Sequence, residues 1–342
     1  MTESPILIVG LPRSGTTWIG EVLTSAPGVR YLFEPDNEGI SPLAWYCKKK
    51  LHRFPYLMPS DESNEYFRLW RAVFHGKDRT WFLNNLMGLL FRKKAPELEA
   101  YIGDKSGFVY LDKRMHRVVE GRINAYRVDD HPLNAYFIRQ ILSHGFVSQQ
   151  RSNFVVKSVH AVLSVGWICN YFPIKVVFVL RNPYSLYASY KRMKLPDGFR
   201  SLFNQETLQR DLHCFFPEEE NILPKSQEEN IAFQIMLMYK IIEQHLIQNP
   251  EWFFVSHDRL CILPHDGFQQ IFDKLNFDWS HKTITKINAS NENGVGFYPK
   301  RVTNQQPFRW KSELNFMEQK MISRLIDVFN LKSFFREKVD IE

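Results

Sequence analysis

Residues 10–17, Gly10-Leu11-Pro12-Arg13-Ser14-Gly15-Thr16-Thr17, carry the Gly-x-x-x-x-Gly spacing of a phosphate-binding loop. The apolar run Ile6-Leu7-Ile8-Val9 precedes them, and Trp18, Ile19, Val22 and Leu23 follow as a single helical stripe. Glycines at such a turn let backbone N–H groups point inward, and the N-terminus of the next helix adds partial positive charge. That arrangement suits a phosphate or a sulfate. The competing reading is a glycine turn with a purely structural purpose.

The loop departs from that of a nucleoside triphosphatase. Thr16 stands where the lysine of such a loop belongs, and the cation lies inside the loop as Arg13. A second strand, Lys175 to Leu180, ends in Arg181 instead of a magnesium-binding carboxylate. Two customary parts of ATP chemistry are therefore missing. Arg181 offers a second anion site at the carboxyl end of a strand, where open α/β sheets bind ligands. Ser189 follows about two helical turns later, with Ser185 on its face. Arginine and hydroxyl together would grip a phosphate from two sides, whereas taken singly they read as a surface arginine and helix-capping serines. Two anion motifs in one nucleotide fold imply a nucleotide with phosphates at both ends.

These side chains need strands and helices to carry them. The pattern predicts strands at Ile6–Val9, Val29–Phe33, Phe154–Val156, Lys175–Leu180 and Trp252–Val255. It predicts helices over Thr16–Ser25, Ala161–Tyr171, Pro183–Arg192, Glu228–Gln248, Gly267–Leu275 and Asn315–Phe329. Asn182 reads as the N-cap of the third helix with Pro183 at its first position, and Asn315 with Glu318 as the capping pair of the last. The expected fold class is α/β, a central parallel β-sheet flanked by helices. It forms a single domain over residues 1–342, with 36–150 as an inserted helical, aromatic-rich cap that binds the acceptor.

Composition agrees with a globular chain: 44% of residues are hydrophobic and 24% charged, which excludes disordered and fibrous classes. Within 48–127, 17 Lys and Arg face 9 Asp and Glu, so this stretch holds the positive excess that gives the chain its net charge of +7. Such a segment is either a solvated helical face or a surface for an anionic or aromatic partner. The 4 cysteines are scattered, which points to a reducing compartment and away from zinc. No targeting or membrane-spanning stretch is legible, because 154–180 is broken by Lys157, His160, Asn170, Pro173 and Lys175. The expectation is a soluble, cytoplasmic protein.

Pro12-Arg13-Ser14-Gly15-Thr16-Thr17-Trp18 resembles the 5′-phosphosulfate loop of the sulfotransferases that use 3′-phosphoadenosine 5′-phosphosulfate (PAPS). Arg181-Asn182-Pro183 with Ser189 is similar to the 3′-phosphate motif of that family. Phe254-Val255-Ser256-His257-Asp258-Arg259-Leu260 and Pro264 resemble a further family stretch, although Asn276-Phe277 stands where Leu-Gly is commoner. The resemblance covers roughly 5–35 and 154–335. It implies PAPS as donor, adenosine 3′,5′-bisphosphate (PAP) as product, no metal, and transfer of a sulfuryl group to a hydroxyl of a sugar, lipid or small natural product.

The same resemblance suggests roles for individual residues. Arg13, Ser14, Gly15, Thr16 and Thr17 would hold the 5′-phosphosulfate. Trp18 would either stack near the adenine or belong to the core. Arg181 and Ser189 would hold the 3′-phosphate, with Arg301 in a basic segment near Arg309-Trp310-Lys311 closing over it. Lys157 would contact the transferring group, or be an ordinary strand-end lysine. The general base would be Glu34, if partial burial raises its pKa, or His160, which follows Lys157 one residue later than in the Lys-x-His of cytosolic members. Two other functions compete: a P-loop small-molecule kinase, which the absent lysine opposes, and a nucleic-acid-binding protein using the basic 48–127 segment, which leaves both anion motifs unexplained.

Overall fold

Alternate residues of one strand go to opposite cores. In β1 (Ile6–Val9), Leu7 and Val9 join one buried cluster while Ile6 and Ile8 join the other. In β4 (Lys175–Leu180), Val176, Phe178 and Leu180 part from Val177 and Val179 in the same way. A strand apolar on both faces must be covered on both, which is the condition for a parallel sheet between two helical layers. The computed structural model describes residues 4–37, 44, 47, 48, 50–75, 153–195, 198–215, 223–291 and 303–339. Most of the 36–150 segment read as a cap, and Arg301, lie outside the described residues.

The described strands form one five-stranded parallel sheet in the order β2-β3-β1-β4-β5, where β2 is Arg30–Phe33, β3 Phe154–Ser158 and β5 Phe253–Ser256. After β1 the chain moves toward β2, and after β4 it moves the opposite way toward β5. The crevice between the carboxyl ends of β1 and β4 is therefore the switch point at which such sheets take ligands.

One layer contains α1 (Thr16–Leu23), α6 (His257–Ile262), α7 (Pro264–Leu275) and α8 (His281–Ser290). The other contains α2 (Asn64–His75), α3 (Val165–Tyr171), α4 (Pro183–Arg192), α5 (Gln227–Gln248), α9 (Phe316–Val328) and α10 (Lys332–Val339). Asn182 caps α4 by accepting from the N–H groups of Tyr184 and Ser185, and Asn315 with Glu318 forms a complete capping box on α9.

Two elements differ from the sequence expectation for a visible reason. Strand β3 runs on through Lys157 and Ser158, which pair with Ile8 and Val9 of β1 although both residues are polar. The helix expected from Ala161 is split into a 3₁₀ turn, His160–Leu163, and α3. The Ser158 hydroxyl accepts from the N–H groups of both His160 and Ala161, which starts a tight turn before the α-helix can begin.

Candidate active site

Strand β1 delivers the loop 10–15 into the crevice. A Cβ on Gly10 would lie 2.5 Å from both the Ser14 hydroxyl and the Val179 carbonyl, so the loop closes onto β4 only because position 10 has no side chain. Gly15 is the N-cap of α1 with φ 98°, and a Cβ there would meet the His257 ring at 2.2 Å. A glycine cap contributes no side-chain acceptor, so the first N–H groups of α1 are left to an external anion. Arg13 itself sits in the left-handed region at φ 72°.

The two anion motifs, separate in the sequence, are joined in space. Arg181 donates from Nη1 to the Arg13 carbonyl at 2.7 Å, and Arg13 donates from Nε to the Ser189 hydroxyl at 3.3 Å. Arg181 is in turn held from both sides. Its carbonyl accepts from the Tyr239 hydroxyl of α5 at 2.5 Å, and the next N–H, of Asn182, donates to Asp258 of α6 at 2.7 Å. The Ser14 hydroxyl and Arg181 Nε are buried without a hydrogen-bond partner among the described residues. Buried donors in that state are costly unless something outside the protein satisfies them, so they fit an oxyanion bound at the loop. Ser185, read as sharing the face of Ser189, instead donates to the Pro307 carbonyl at 3.3 Å.

Other expected donor-site residues fall differently. Thr16 is buried and Thr17 half-buried in the first turn of α1. Trp18 is buried: the indole packs edge-on against Phe268 at 5.0 Å, and its N–H donates to the Ser290 hydroxyl at 2.7 Å. Arg309 pairs with Glu313, and Trp310 stacks on Tyr184 at 4.6 Å, which docks this basic segment beside the start of α4. His257, quoted in the family-like stretch but given no role there, lies directly beneath Gly15. Burial first, then the charges of Arg181 and Arg13, hold its imidazole far below the usual histidine range, so it is neutral. The glycine at position 15 is the trace of this contact in the sequence.

On the other side of β1, the ends of β2 and β3 bring Glu34, Lys157 and His160 together. Glu34 has φ 47° and is 3% exposed. Its Oε1 accepts from the buried Lys157 ammonium and its Oε2 from the Val159 N–H at 3.2 Å. Burial alone would raise this carboxyl, but Lys157, then His160, and the bonds from Lys157 and Val159 carry it below its usual value. The raised pKa expected from partial burial is thus reversed by a partner on the neighbouring strand. His160 donates from Nδ1 to the Asp36 carbonyl at 3.3 Å and accepts at Nε2 from Arg53 Nε at 3.0 Å.

Asp36, Lys48 and Arg53 were not singled out in the sequence. Asp36 is fully buried, and its carboxylate accepts from Ser158 at 2.5 Å and Tyr66 at 3.3 Å. Burial outweighs Lys48 and His160 there and pushes its pKa up. Asp36 follows a strand end two residues after Glu34, whereas Lys48 and Arg53 lie well beyond it with no pattern that ties them to the site. Among the described residues no group of three or more His, Cys, Asp or Glu side chains could hold a metal ion. None of the four cysteines is in a disulfide, and no described helix is long and apolar enough to cross a membrane.

A glycine loop at a sheet switch point, with Thr16 in the position of the usual lysine and Arg13 inside the loop, defines a P-loop-like α/β protein. The sulfotransferase family model matches residues 5–281, and the chain belongs to that family of enzymes. No curated protein sequence matches it. Among solved structures it is similar to sulfotransferase STF9 from Mycobacterium avium (12% identity, 96% of this chain and 78% of that one, TM-score 0.41). It is also similar to the sulfotransferase domain of the Synechococcus PCC 7002 olefin synthase (14%, 96% and 95%, TM-score 0.42). Mouse SULT7A1, crystallised with PAP, is a third (13%, 97% and 86%, TM-score 0.38).

Proposed function

We propose that this enzyme transfers a sulfuryl group from PAPS to an acceptor hydroxyl on a sugar, lipid or small natural product. The observation that carries the reading is the Arg181–Arg13–Ser189 chain of hydrogen bonds at the switch point, beside the buried donors of Ser14 and Arg181. Fixed cations and N–H groups there supply what a lysine and a magnesium carboxylate supply in a kinase.

When bound, PAPS supplies an activated sulfuryl group on a phosphate leaving group. Arg13, Ser14, Gly15, Thr16 and Thr17 would hold the 5′ end, with the Arg13 guanidinium balancing charge on the leaving phosphate. Arg181 and Ser189 would hold the 3′-phosphate. Lys157, already facing Glu34, would steady negative charge on the transferring group. Glu34 is the proposed base: it is ionised at neutral pH and ready to accept the hydroxyl proton at a carboxylate oxygen. His160 is less suited, because its one basic lone pair, on Nε2, already accepts from Arg53, whereas each Glu34 oxygen keeps a second lone pair beside its bond to Lys157 or Val159. The 36–150 segment as acceptor cap, a cytoplasmic location and the absence of nucleic-acid binding belong to the same proposal, supported by the unpaired cysteines and the two anion motifs.

The test is calorimetric titration with adenosine 3′,5′-bisphosphate and, separately, with ATP plus magnesium. Tight binding of the bisphosphate, weakened in Arg181→Ala and absent for ATP, is the expected result. Preference for ATP-magnesium returns the kinase reading, and indifference to both removes the nucleotide reading.

A further inference from the structure

Arg53 lies in the described part of the 36–150 segment, where the sequence offers no motif, yet its side chain ends at the site. Its Nε donates to His160 Nε2 at 3.0 Å. A guanidinium has no acceptor, so Nε2 must present its lone pair. On the opposite edge of the ring, Nδ1 meets the main-chain carbonyl of Asp36 at 3.3 Å, and a carbonyl has no proton to give. Two partners of fixed polarity therefore set one tautomer, with the proton on Nδ1.

The clamp is built on a rigid base. The Lys48 ammonium, fully buried, donates to the Arg53 carbonyl at 2.8 Å and to the same Asp36 carbonyl at 3.0 Å. Phe54 meets the His160 ring edge-on at 5.2 Å. The buried Tyr190 phenol feels the charges of both Arg53 and Arg13.

We infer that Arg53 is a positioning residue for the transfer reaction, acting through His160: it occupies the Nε2 lone pair, fixes the Nδ1–H tautomer, and leaves Glu34 as the group that takes the acceptor's proton. His160 is then a hydrogen-bond link between Arg53 and Asp36. Two requirements follow. A side chain that accepts on one edge and donates on the other replaces His160, and a donor at position 53 is needed to orient it.

The activity arm rests on the sulfuryl-transfer reading, so a spectroscopic arm is run on the whole protein without donor or acceptor. In ¹⁵N-histidine NMR, the His160 signals are assigned by their loss in His160→Gln. The expected state is the Nδ1–H tautomer, with an Nε2 resonance that moves in Arg53→Met and returns toward wild type in Arg53→Lys. An Nε2–H tautomer, or an Nε2 resonance indifferent to Arg53→Met, overturns the proposal. With an acceptor from a screen, Arg53→Met is expected to lower kcat by about tenfold and Arg53→Lys to restore most of it, while Glu34→Gln loses about a hundredfold or more. The reverse order overturns it. Failure of the bisphosphate to bind would instead sink the sulfuryl-transfer reading and leave the tautomer result standing.

Discussion

Arg181, at the end of β4, donates to the main-chain carbonyl of Arg13 in the loop after β1, across 2.7 Å. One arginine thereby shapes the loop that carries the other. Tyr239 and Asp258 clasp the Arg181–Asn182 backbone and so hold that arginine in place.

Arg181→Ala removes both the cation and the bond that shapes the loop. Loss of a charged hydrogen bond of this kind is worth about 1.5–3 kcal/mol, so bisphosphate affinity is expected to fall by roughly tenfold to a hundredfold. Calorimetry reads this directly, and unchanged affinity would remove Arg181 from the donor site.

Gly15→Ala combines a left-handed backbone with a collision at the His257 ring. It is expected to cost about 2–4 kcal/mol, against about 1 kcal/mol at Gly28, where φ is also positive but a Cβ would meet nothing. Denaturant unfolding of the two variants makes the comparison. Pairing Gly15→Ala with His257→Ala is expected to cost less than the sum of the two single changes, since the second makes room for the first.

Glu34→Gln leaves the Lys157 ammonium buried without a counter-charge, and a loss of about 3–5 kcal/mol is expected. Glu34→Gln with Lys157→Met is expected to recover most of it. The pH dependence has a definite sign. The folded pKa of Glu34 lies below its unfolded value, so the stabilisation is present above the unfolded pKa and disappears as pH falls through the folded one. The stability gap between wild type and Glu34→Gln is therefore expected to narrow in acid, and a gap that widens there would contradict the ion pair.

Asn182→Ala and Asn315→Ala each remove an N-cap and are each expected to cost about 1 kcal/mol. Only Asn182 adjoins Arg181. Bisphosphate affinity is expected to weaken in Asn182→Ala and to be unmoved in Asn315→Ala, so the pair separates a stability effect from a site effect.

Local features carried much of this in the chain itself. The Gly10–Gly15 spacing, the apolar runs of β1 and β4, Pro183 after Asn182 and the Asn315–Glu318 box are each encoded within a few residues, because turns, caps and burial patterns are short-range. From these the α/β class, the parallel sheet and the glycine loop after β1 were legible. The strand end at Val156 was misjudged because Lys157 and Ser158 are polar, and only the neighbours at Glu34 and Asp36 make their burial tolerable.

What no local pattern contains is the meeting of distant residues. Arg13 and Arg181 are 168 residues apart, Arg13 and Ser189 176, and Arg53 and His160 107. Their contacts exist because parallel pairing sets the ends of β2, β3, β1 and β4 side by side along one edge. The same pairing reversed the expected shift of Glu34: its own sequence neighbours give it burial, which raises a carboxyl, while the adjacent strand gives it Lys157, which lowers it. The sequence by itself determined which chemical groups stand at the strand ends and that a glycine loop carrying Arg13 is among them. Only the tertiary structure decided their partners, because charge and hydrogen bonding act through space at a few ångströms, whatever the separation along the chain.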